Sequence, residues 1–93
     1  MKLLRYGGTH AYVGERTAAL LLDYKQLLAH RDEADALSLR VLVDEDEYLC
    51  ALRIFIGAGS PMQIEATDDV RAEPDNRMTD ILLKERIARH SSG

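Results

Sequence analysis

The sequence predicts an α+β fold: a small antiparallel sheet of four to five strands, with one long helix packed on one of its faces and a C-terminal helix, in the order β-β-α-β-β-(β)-α. Three observations carry this. Apolar and polar residues alternate with period two on both sides of short turn segments over residues 2–13 and 37–56. Residues 15–30 instead repeat their apolar positions with the 3.6 period of a helix. A second helical pattern covers 77–90.

In the first hairpin, Gly7-Gly8 is a two-residue turn pair. With these two as the loop, Tyr6 stands opposite Thr9, Arg5 opposite His10 and Leu4 opposite Ala11. Leu4, Tyr6, Ala11 and Val13 then share the core face, while Leu3, Arg5, His10 and Tyr12 share the other. In the long helix, Thr17, Leu20, Leu21, Tyr24, Leu27 and Leu28 follow i, i+3, i+4, i+7 spacing. His30 and Arg31 suit the negative end of its dipole, and Asp32-Glu33-Ala34-Asp35 breaks the pattern.

Leu37, Leu39, Val41 and Val43 predict one face of a third strand, and Tyr48, Cys50, Leu52, Ile54 and Ile56 one face of a fourth. Asp44-Glu45-Asp46-Glu47 reads as the hairpin tip between them. The fourth strand also carries Leu49, Ala51 and Phe55 on its other side; a strand apolar on both faces is either central in its sheet or in contact with a partner. Gly57–Pro61 ends that strand, and Met62, Ile64 and Ala66 suggest a short fifth. Residues 67–76 read as a polar loop, with Pro74, Asp75 or Asn76 opening the last helix. That helix has two apolar stripes, Met78, Ile81, Leu82 and Ala88 on one side and Leu83 with Ile87 on the other. A terminal helix on one core needs one stripe, so the second implies another contact surface. The expected core is Leu4, Tyr6, Val13, Leu20, Leu21, Tyr24, Leu27, Leu28, Leu39, Val41, Leu52, Ile54, Ile56 and Ile64. Residues 1–90 read as one domain and 91–93 as a frayed tail.

Composition narrows the function classes. The chain has 93 residues, 46% of them hydrophobic and 30% charged, a globular balance. The net charge of −4 argues against nucleic acid and anionic membranes as partners. Residues 31–75 hold 12 acidic and 4 basic side chains, which read as solvated loops or as an acidic face toward a neighbouring copy. No apolar run reaches the roughly 20 residues of a bilayer-spanning helix. Met1–Gly8 lacks the apolar stretch of a signal peptide and there is one cysteine, so the cytoplasm is the expected compartment.

Catalytic and ligand-binding patterns are sparse. Gly57-Ala58-Gly59-Ser60 looks superficially like a phosphate loop, but Pro61 and a strand-like run follow where a helix should start, so a turn is the better reading. His10, His30 and His90 have no metal-ligand spacing, and the acidic tip lacks the calcium-loop pattern. No metal or cofactor is expected. A ligand pocket, if the chain forms one, would draw on Arg5, His10, Tyr12 and Cys50. The leading expectation is a non-catalytic interaction or regulatory module that self-associates as a dimer or meets an unidentified protein partner, with Phe55, Leu49, Leu83 and Ile87 at its interface. A small enzyme or metabolite-binding domain is the alternative, and a weak nucleic-acid binder ranks third.

Overall fold

A computed structural model describes residues 1–43 and 48–91. The acidic tip expected at 44–47 lies outside the described residues. The elements are β1 (Lys2–Tyr6), β2 (Thr9–Val13), α1 (Glu15–His30), β3 (Ala34–Val43), β4 (Tyr48–Gly57), β5 (Met62–Ala66) and α2 (Arg77–Ser91). The α+β class and the element order follow the sequence pattern. α2 runs through Ser91, so the expected tail begins inside the helix, and residues 92–93 lie outside the described residues.

The first hairpin has the register its glycine turn dictates, with Tyr6 opposite Thr9, Arg5 opposite His10 and Leu4 opposite Ala11. Gly7 adopts φ 58°, which a side chain disfavours and glycine permits. α1 stops where Asp32 turns left-handed at φ 55° and the Glu33 N–H donates to the Leu28 carbonyl at 2.8 Å. β3 begins at Ala34, three residues earlier than the alternation indicates. Gly57, at φ 147°, ends β4 where an added Cβ would lie 2.6 Å from the Glu33 carbonyl oxygen.

The five strands form one antiparallel sheet in the order β4-β3-β2-β1-β5. It cannot be flat. β2 meets β3 only at Ala11–Val43 and Tyr12–Leu42. Extended from those pairs, a flat sheet would separate Tyr6 from the Ala36–Phe55 level by nine residue steps, about 30 Å at ~3.3 Å each. Yet the Phe55 N–H donates to the Tyr6 hydroxyl at 2.9 Å, and the Gly7 N–H to the Pro61 carbonyl at 3.4 Å. The β3–β4 hairpin therefore coils back over the smaller sheet, and the short 58–61 connection joins the two outermost strands.

The core lies inside this roll, against α1. Leu4, Ala11, Val13, Leu21, Tyr24, Leu28, Leu37, Leu39, Val41, Ile54, Ile56, Met62 and Leu83 are buried in it. Of the expected core residues, Tyr6, Leu20, Leu27, Leu52 and Ile64 are only partly buried at its margin. Ala11, Ala18, Leu37, Met62 and Leu83 join it instead.

Candidate functional site

The geometry that matters is how the two long strands treat their outer edges. β3 has β4 on one side, but among the described residues it has no strand on the other from Val41 back to its start. α2 fills that place. The Asn76 amide accepts from the Arg40 N–H and donates to the Arg40 carbonyl, both at 2.8 Å, so one buried side chain stands in for a strand. Three residues on, the Thr79 hydroxyl donates to the Ser38 carbonyl at 3.2 Å. The Asn76 backbone carbonyl meanwhile accepts from the Asp80 N–H at 2.7 Å and starts the helix.

Farther along, Asp35 ties three elements together. It accepts from the Tyr24 hydroxyl of α1 at 2.7 Å and is ion-paired with Arg86 of α2. His90 packs edge-on against the Tyr24 ring, 5.7 Å between centroids, and its two ring nitrogens meet the Arg86 carbonyl and Glu33. Burial pushes the Asp35 carboxyl up, but hydrogen bonds from Tyr24 and the Ala36 N–H, with the Arg86 charge, outweigh it and hold it below 3.8. Burial and the Asp35 charge push the Tyr24 hydroxyl up to about 12.

The signs set two limits. Asp35 stabilises the fold above its ordinary value of 3.8, and that contribution is lost as pH falls through the lower folded value. Protonated Tyr24 is fully stabilising below 10.0 and is lost as pH rises toward about 12. Tyr24→Phe is expected to cost about 1.5–3 kcal/mol near neutrality, the worth of a hydrogen bond to a charged group. It is also expected to make the alkaline loss of stability shallower. Denaturant unfolding below and above pH 10.0 measures both.

β4 is treated differently. In an antiparallel pair, residues whose backbone groups point away from each other sit directly opposite. Arg40 and Ser38 turn theirs toward α2, so Ala51 and Arg53, directly opposite, turn theirs to the outer edge of β4. Phe55 does the same, and its edge groups are taken: the N–H by Tyr6 and the carbonyl by the Ser60 hydroxyl at 2.7 Å. Among the described residues no partner is shown for the edge groups of Leu49, Ala51 and Arg53. Leu49 and Phe55, on the same outward face, are 48% and 46% exposed.

Beside this edge the outward face of the β3–β4 hairpin is cupped. A groove of about 400 Å³ lies over Arg40 and Ala51, walled by Asn76, Met78 and Thr79. A second, of about 330 Å³, lies over Leu42 and Leu49 beneath residues 71–75. Neither contains a histidine, and the Asp75 carboxylate in the first is paired with Arg77 at 3.0 Å.

The residues expected at a ligand pocket do not converge. Arg5 and His10 are cross-strand partners and Tyr12 shares their face, as the hairpin register requires. Arg5 is paired with Glu65 at 3.1 Å, His10 is exposed, and the Tyr12 ring lies 4.8 Å beneath the Arg71 guanidinium. Cys50 lies on β4, half-buried and packed against the core, on the face opposite Leu49.

The interface candidates divide in two. Leu49 and Phe55 are exposed. Leu83 is fully buried and Ile87 packs against the core, so the inward stripe of α2 is the pair expected to face out. The outward stripe is Met78, Ile81 and Leu82, at 79%, 51% and 37% exposure. The cause is the anchoring of α2 by Asn76 and Arg86, which fixes its rotation about its axis. Sequence reasoning missed the role of Asn76 at the β3 edge; its only signal was its place before the helix, where Asn reads as a cap.

Among the described residues, no group of three or more His, Cys, Asp or Glu could hold a metal ion, and no helix is long and apolar enough to cross a membrane. Comparison with family models, with curated proteins and with solved structures finds no match to this chain.

Proposed function

We propose that this protein is a small, non-catalytic interaction module that works by self-association, most simply as a homodimer. One observation carries the reading. β4 is apolar on both faces and is an outermost strand, so among the described residues it lacks the second strand neighbour that would account for such a pattern inside a sheet. Long exposed edges template pairing with another chain, and proteins ordinarily cover or shorten them. Here β3 is covered by α2, and β5 is five residues long with Gln63 and Glu65 exposed. β4 has ten residues and keeps Leu49, Ala51 and Arg53 open.

The half-buried free Cys50 suits a reducing compartment, and the reading places the protein in the cytoplasm. Light scattering coupled to size exclusion tests it. A dimer that dissociates on dilution is the expected result. A monomer at high micromolar concentration contradicts the reading.

A further inference from the structure

We propose that two copies join through β4, antiparallel, about a two-fold axis that passes between their Leu52 residues. This deepens the self-association reading and rests on it. The occupant of the edge is a second copy because the open positions of β4 can pair with one another across a two-fold axis, and their side chains choose the register.

A two-fold perpendicular to the sheet keeps like faces together, so opposed residues must have the same parity. The edge-directed groups belong to the odd positions, where among the described residues Leu49, Ala51 and Arg53 are open and Phe55 is already satisfied by Tyr6 and Ser60. Centring on Leu52 sets Ala51 opposite Arg53 of the other copy, twice by symmetry, and so joins the open groups to each other. The backbone ladder stops at Phe55, whose groups are held by Tyr6 and Ser60, and the same register brings the exposed Phe55 side chain toward the exposed Leu49 of the other copy, an aromatic–aliphatic contact of the kind that stabilises sheets.

Neighbouring registers fail. Centring on Arg53 opposes two like charges. Centring on Ala51 would join the Leu49 groups to those of Arg53, but it sets each guanidinium against a leucine and leaves the exposed Phe55 without an apolar partner. The Leu52 register is the one that puts no charge against its like and buries both large exposed side chains of the strand.

Disulfide trapping reads the register. In a Cys50→Ala background, Ala51→Cys and Arg53→Cys are prepared as separate single-cysteine proteins; both positions are exposed, so the fold is retained. Opposed residues lie about 5.5 Å apart at Cα, within disulfide reach. Position 51 and its own copy are diagonal neighbours, roughly 7–8 Å apart, as are the two copies of 53, and are not readily bridged.

On mild oxidation, the mixture of the two proteins is expected to cross-link about an order of magnitude faster than either alone, since only it contains pairs within reach. Self-linking of Ala51→Cys or Arg53→Cys at the rate of the mixture would overturn the register. A wild-type dimer by light scattering, with no cross-link in the mixture, would overturn β4 pairing while leaving self-association standing. A wild-type monomer would overturn both.

Discussion

Leu83→Ala is expected to lower the unfolding free energy by about 2–5 kcal/mol, the range for a buried leucine truncated inside a packed core. Leu82→Ala, one position away, is expected to change it by about 0.5 kcal/mol or less, as surface substitutions do. Both replace the same side chain on the same helix, so propensity and chain entropy cancel between them. What differs is the face: Leu83 has no exposed surface, whereas Leu82 is 37% exposed beside Ile81. Against a total stability of about 5–15 kcal/mol, the first loss is large enough to show directly in urea unfolding. Equal losses, or a larger one for Leu82→Ala, would mean that α2 docks by its other stripe, and the apolar surface assigned to solvent would have to be redrawn.

Asn76→Ala is expected to cost about 2–4 kcal/mol, because it strands both the N–H and the carbonyl of Arg40 at a strand edge covered by a helix. Helix-start effects do not explain so large a figure. The Asn76 contribution to the start of α2 is a backbone carbonyl, which alanine keeps. Asn76→Asp separates the two halves of the contact. It retains an acceptor for the Arg40 N–H but sets a second acceptor against the Arg40 carbonyl, so it is expected to give little rescue. Urea unfolding of both variants is the measurement. A loss below about 1 kcal/mol for Asn76→Ala, the worth of an ordinary cap, would reduce the residue to a helix-start role.

Much of this architecture was readable because its determinants are local. Gly7-Gly8 and the alternation around it set the first hairpin's register, and the 3.6 period of Thr17, Leu21, Tyr24 and Leu28 set the buried face of α1. What could not be read depends on distant partners. β3 starts at Ala34 although Asp35 occupies the same inward parity as Leu37 and Leu39. A carboxylate there looks like loop until Tyr24 and Arg86 are seen to satisfy it. The two stripes of α2 are balanced in the sequence, and the choice between them is made by Asn76 reaching Arg40 and Arg86 reaching Asp35. Phe55 and Leu49 stood out as apolar residues on the wrong face of a strand. That β4 is outermost follows only from the coiled sheet, which no local pattern encodes.

Self-association through β4 engages the edge groups of Ala51 and Arg53, and amide hydrogen exchange observes them one residue at a time. Measured at rising protein concentration, the Ala51 and Arg53 amides are expected to pass from fast exchange to protection, while Leu52 and Ile54, already directed at β3, change little. Fast exchange at Ala51 and Arg53 across the whole concentration range, with Leu52 and Ile54 protected, would contradict pairing through β4.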